Sequence, residues 1–192
     1  STLLASSAAS DVYKRQYRIC SKILGYSECN LIQVPIYMQF KLVLNDTFDK
    51  YNCGEFDKKE NDTISVSKSN FSHETDEVNV MISDTYPLSL SQLPEVKKNL
   101  PTLLISRNNT NDVNRYDSPE LVRCVVNEVR SLNNNIKKVN VYATTNPLNT
   151  KNIASSAFKL GGRDNFNEVR VFQQERDGIR NFNNKGIVVY KR

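Results

Sequence analysis

Residues 117–150, DSPELVRCVVNEVRSLNNNIKKVNVYATTNPLNT, decide the fold. Ser118-Pro119-Glu120 opens a helix: a hydroxyl to cap a free amide, a proline whose missing N–H costs nothing at the first helical position, and an acid at the positive helix end. Leu121, Val122, Val125, Val129 and Leu132 recur at helical spacing and give it one apolar face. Asn133-Asn134-Asn135 ends it. An apolar strand over 138–143 follows and stops at Thr144-Thr145-Asn146-Pro147. A helix feeding a strand that ends in small polar residues is the unit of an open α/β sheet, in which ligands collect at strand carboxyl ends.

The same pattern extends to both sides. Downstream, Asn149 or Thr150 is expected to cap a helix running to Leu160, stopped by Gly161-Gly162. Strands over 168–172 and 186–190 follow, joined by a polar turn around Gly178. Upstream, a strand over 77–82 ends at Ser83-Asp84-Thr85-Tyr86-Pro87. Residues 88–99 read as a short helix or turn interrupted at Pro94. A second strand, 102–105, ends at Ser106-Arg107-Asn108-Asn109. Strands alternating with helices from 77 onward predict a Rossmann-like, mostly parallel sheet with flanking helices.

Ahead of this the pattern is less regular and reads as β-rich. Apolar and polar residues roughly alternate over 33–43, which predicts one or two strands, and Pro35 argues against a helix interior. Residues 45–73 are polar and read as an irregular insertion with a short strand over 63–66. Asp11-Val12-Tyr13-Lys14-Arg15-Gln16 resembles a translated sequencing-adapter scar of the kind found at the ends of metagenomic reading frames. The expected division is a non-native or disordered leader over 1–16, a β-containing N-terminal portion over 17–74 and an α/β portion over 75–192.

Composition narrows the function classes. Of 192 residues 39% are hydrophobic and 24% charged, as in a folded globular chain. No apolar run approaches the roughly 20 residues of a membrane span. Cys20, Cys29, Cys53 and Cys124 form no C-x-x-C pair, and the single His73 cannot complete a usual zinc set, so neither metal nor cofactor is expected. Unpaired thiols fit a reducing, cytoplasmic setting. Residues 1–100 carry 11 basic and 13 acidic side chains, a net of −2. Residues 101–192 carry 15 and 8, a net of +7. An anionic partner suits the second half.

Three strands end in polar clusters: Ser83-Asp84-Thr85, Ser106-Arg107 and Thr144-Thr145-Asn146. On adjacent parallel strands these would converge on one edge, where hydroxyls, amides and a guanidinium suit a phosphate-and-base ligand. Arg163, after Gly161-Gly162, joins them as a candidate. No Gly-rich phosphate loop is present. No catalytic residue is assigned: Asp84 as a base lacks an identifiable partner, and His73 lies outside the regular region.

Laid out this way, residues 77–190 resemble a SAVED domain, the CARF-like sensor module of bacterial CBASS anti-phage effectors. The resemblance rests on 78–88 (a strand running into Ser83, then a helix), on 118–132, on 138–147 with its strand ending before Pro147, on 157–161 and on 168–172. It implies two fused Rossmann-like lobes with a cyclic oligonucleotide bound between them, oligomerisation on binding, and an effector domain N-terminal to this chain. The alternatives are a Rossmann-like hydrolase or transferase acting on a nucleotide or small ester, with Asp84 as base, and a purely structural domain.

Overall fold

The computed structural model describes residues 15–108, 115–159, 166–176 and 178–192. The first surprise lies in the segment expected to hold strands. Ile36–Leu44 is a helix, α1. Tyr37, Met38, Phe40, Leu42, Val43 and Leu44 are all buried. A helix apolar nearly all round belongs inside a core, and it shows no amphipathic period for the sequence to reveal. Pro35 stands just before it, where it blocks no hydrogen bond, and its carbonyl accepts from the amides of Met38 and Gln39 at 2.9 Å each. Asn45 ends the helix, its side chain donating to Lys41 O and to Val189 O.

Among the described residues eight strands occur: β1 (Glu28–Asn30), β2 (Lys50–Asn52), β3 (Ile64–Ser69), β4 (Glu77–Ser83), β5 (Thr102–Arg107), β6 (Lys138–Ala143), β7 (Glu168–Val171) and β8 (Ile187–Lys191). β1 and β2 form a small parallel ribbon; the other six make one sheet in the order β3-β5-β4-β6-β7-β8. β5, β4, β6 and β7 are mutually parallel. β3 and β8 join antiparallel at the two edges. The sheet is therefore mixed, with a parallel centre, rather than mostly parallel throughout. The residues of 17–74 are not set apart from it: β3 is an edge strand of the sheet and α1 lies in its core.

Among the described residues two further helices join the layer, α2 (Pro119–Arg130) and α3 (Pro147–Ile153), the latter passing into π-helical turns at Ala154–Lys159. Leu121, Val125 and Val129 of α2 are buried, and Val122 and Leu132 pack partly against the same core. α3 begins earlier than expected. Asn146 caps it, its Oδ1 accepting from the amide of Asn149 at 2.9 Å, and Pro147 takes the first helical position. Gly161, Gly162 and Arg163 lie outside the described residues.

All three helices pack on one face of the sheet, against Val78, Val80, Ile82, Leu103, Ile105, Val139, Val141, Val169 and Val171. The alternate residues Met81 and Tyr142 point the other way and meet Leu88, Leu93, Phe172 and Phe182 from two long connections. The helix expected over 88–99 is two 3₁₀ turns, Leu90–Gln92 and Glu95–Lys97. Pro94 separates them and holds Leu93 in the extended region.

Candidate functional site

The chain leaves β4 to form β5 on one side and later returns to form β6 on the other. This reversal makes the gap between the carboxyl ends of β4 and β6 a topological switch point. The three strand-end clusters meet there. Asp84 is the centre. Its Oδ1 accepts from Arg107 Nη1 at 2.7 Å; its Oδ2 accepts from the Asn146 amide at 3.1 Å and from Asn149 Nδ2 at 2.9 Å. Arg107 Nε donates to Asp62, which also accepts from Ser118 Oγ at 2.8 Å. Ser118 Oγ in turn caps α2, and the Ser118 amide donates to Asn149 Oδ1 at 3.1 Å. One ionic hub thus ties the insertion before β3, the ends of β4 and β5, and the starts of α2 and α3.

The Arg107 side chain is fully buried, and so is that of Asp84. Burial works to lower the Arg107 pKa, but hydrogen bonds and charge from Asp84 and Asp62 outweigh it and raise it above the ordinary guanidinium value. Among the described residues Arg107 Nη2 is buried without a hydrogen-bond partner, and the guanidinium lies 5.5 Å from the centre of the Tyr116 ring.

The remaining expected site residues divide into floor and rim. Ser83 Oγ donates to Tyr86 O and accepts from the Leu88 amide, closing the turn after β4. Thr144 Oγ1 donates to the same Tyr86 carbonyl at 2.7 Å and accepts from the Asp84 amide at 3.2 Å. Thr145 and Thr150 share a 2.6 Å hydroxyl contact inside the start of α3. Asn146 Nδ2 and Asn149 Nδ2 both donate to Tyr116 O. Thr85 and Ser106 are half-buried and closer to the surface. The guanidinium of Arg180 sits 4.5 Å over the exposed ring of Tyr86, and Lys59 Nζ sits 5.1 Å from the Tyr116 ring centre.

Sequence reasoning missed Asp62, Asn149, Tyr86, Tyr116 and Arg180. Asn149 carried a usable signal, since Asn146-Pro147 already marks the α3 cap and frees the later Asn for another role. Asp62 sits in a charged run with no period, so nothing local links it to Arg107.

Two clefts lie elsewhere among the described residues. One of about 240 Å³, lined by Lys68, His73, Glu74, Asn133 and Asn135 among others, is near the amino ends of the strands. A second, of about 270 Å³, lies between Asn70, Leu90, Lys98 and Thr102. Both are smaller than typical ligand pockets, and neither contains a switch-point residue. Among the described residues no His, Cys, Asp and Glu cluster is placed to hold a metal, and no helix is long and apolar enough to cross a membrane.

The fold matches solved structures of the Acinetobacter baumannii Cap4 SAVED/CARF-domain containing receptor. With the cyclic trinucleotide 3'3'3'-cAAA the TM-score is 0.58 at 11% identity, covering 84% of this chain and 37% of that one. With 2'3'3'-cAAA it is 0.56, at the same identity and coverage. This chain therefore spans little more than a third of the receptor's length. No curated protein matches it. A family model matches residues 10–189, nearly the whole chain. By that match the chain belongs to the SUa-2TM family, the SMODS- and Ubiquitin system-associated 2TM effector domain.

Proposed function

We propose that this chain is the sensor part of an anti-phage defence effector and binds a cyclic oligonucleotide second messenger in a cytoplasmic setting. The observation that carries the reading is the convergence of three polar strand ends on the switch point of a parallel sheet. The family's description and the SAVED/CARF fold support it. In this reading Ser83, Asp84, Arg107, Thr144, Thr145 and Asn146 make a rigid floor. Thr85 and Ser106 face the ligand, with Tyr86 and Arg180 beside them as a stacking ring and a phosphate partner; Arg163, the remaining candidate, lies outside the described residues. The second-half charge of +7 favours an anion.

In this reading a neighbouring lobe or a second copy would close over the ligand at the switch-point edge. Ligand-driven oligomerisation would then pass the signal to an effector segment of the same protein. The hydrolase or transferase reading has less support. Asp84, its candidate base, is buried and already accepts from Arg107, Asn146 and Asn149, and the solved structures it matches are described as receptors.

The test is calorimetry of the folded protein against cyclic di-, tri- and tetranucleotides. At least one should bind, more weakly as salt rises. Tyr86→Ala should cost about 1–3 kcal/mol of binding, as for a lost base-stacking ring, without changing the circular dichroism. No binding by the folded full-length protein overturns the reading.

A further inference from the structure

Among the described residues, nothing covers the outer side of the N-terminal helical segment. Residues 15–18 are helical and continue into a π-helical turn, Ile19–Ile23. The inner side is anchored: Tyr17 meets Phe48 edge-on at 6.3 Å, and Ser21 Oγ donates to Thr47 O at 2.6 Å. The outer side keeps Ile19, Ile23 and Leu24 at 44%, 75% and 60% exposed, and Tyr26 follows at 60%. Arg18 and Lys22 are exposed on the same segment, and no acid occurs from Tyr17 to Ser27. The other apolar residues more than half exposed, Ile32, Val96 and Ile179, have no apolar sequence neighbour exposed alongside them among the described residues.

Bare aliphatic side chains interleaved with cations and free of acids have a specific complement. An apolar protein groove would cover the isoleucines and strand the charges, and a nucleic acid would take the charges and leave the isoleucines wet. An anionic lipid surface takes both. Aliphatic side chains enter the acyl boundary, a tyrosine sits at headgroup level, and Arg and Lys stems reach up to the phosphates. We infer that residues 17–26 dock this domain flat on an anionic membrane surface. The 2TM designation of the family gives such a segment a bilayer to meet. The inference does not depend on which ligand the switch point binds.

The experiment is co-sedimentation of the 192-residue chain with vesicles of phosphatidylcholine alone and of phosphatidylcholine mixed in equal parts with phosphatidylglycerol. The chain should sediment with the mixed vesicles at low salt, stay in solution with the neutral ones, and be released by salt. Arg18→Glu with Lys22→Glu, and separately Ile23→Asp with Leu24→Asp, should each lower partitioning by about tenfold. Lys185→Glu with Lys191→Glu, exposed and far along the chain, should leave it unchanged. Should the aspartate pair unfold the segment, the Arg18 and Lys22 reversal decides alone. Three results overturn the inference: no sedimentation with mixed vesicles by the natively folded chain, an equal loss in the Lys185 and Lys191 variant, or a dimer that the Ile23 and Leu24 substitutions convert to monomer.

Discussion

At the carboxyl edge of the sheet a guanidinium sits between two carboxylates. Lower on the same strands, on the loop-covered face, the buried polar groups are mostly amides. Asn79 Nδ2 donates to Lys97 O at 2.8 Å and to Thr102 Oγ1 at 3.0 Å. Asn140 Nδ2 donates to Asn79 Oδ1 at 3.2 Å and to Glu77 Oε1 at 2.7 Å, and the Tyr142 hydroxyl donates to Asn79 Oδ1. Burial, with Glu77 nearby, pushes the Tyr142 phenol well above its ordinary range, so it stays a donor. The difference is in what a missing member leaves behind. A lost amide strands neutral groups; a lost guanidinium strands two buried charges, which is far more costly.

The largest expected effect follows directly. Arg107→Met should cost about 3–5 kcal/mol in chemical denaturation, because Asp62 and Asp84 stay buried without their cation. A cost comparable to an amide deletion would show that the hub relaxes and admits water. Asn140→Ala should cost about 1–3 kcal/mol, the range for a buried hydrogen-bonding group removed from one side. If it matched Arg107→Met, the amide network would be as indivisible as the ionic one. Ser118→Ala removes both the α2 cap and a bond to Asp62 and should cost about 1–2 kcal/mol.

The smallest effect is one of pH. Burial works to raise the Glu77 pKa, but the hydrogen bonds from Lys97 and Asn140 and the charges of Lys97 and Lys138 outweigh it and lower it from 4.5. A carboxyl depressed on folding contributes stability above its unfolded pKa, and that contribution is lost as pH falls through the folded value. Glu77→Gln should therefore flatten the decline in stability below about pH 4.5 and change little at pH 7 beyond the weakened Lys97 contact. An unchanged acid limb would remove Glu77 from the acid response.

The parallel centre of the sheet was legible because its strands are short apolar runs closed by polar residues and its helix α2 has an uninterrupted apolar face. Convergence of Asp84, Arg107 and Asn146 was legible for the same reason, since parallel neighbours bring their ends together. Their roles were not. Three polar clusters looked like open ligand contacts, whereas Asp84, Arg107 and Asn146 are satisfied mostly by one another and by Asp62 and Asn149. Nothing in one strand records what sits across from it, which also hid the antiparallel edges β3 and β8. Helix α1 escaped because burial on all sides erases the period that announces a helix.

Asp62 lies 56 residues from Ser118 and 45 from Arg107, yet all three share the hub. The polar insertion it belongs to is also pinned by paired backbone bonds, Lys59 N to Asp117 O and Asp117 N to Asp57 O. Amide protons in this insertion should therefore not exchange with solvent like those of an ordinary surface loop. They open only when the Arg107 contacts open, in one cooperative unit with the first turns of α2 and α3. Since those contacts join segments distant along the chain, native-state exchange would record the insertion and the two helix starts as a single clasp over the strand ends.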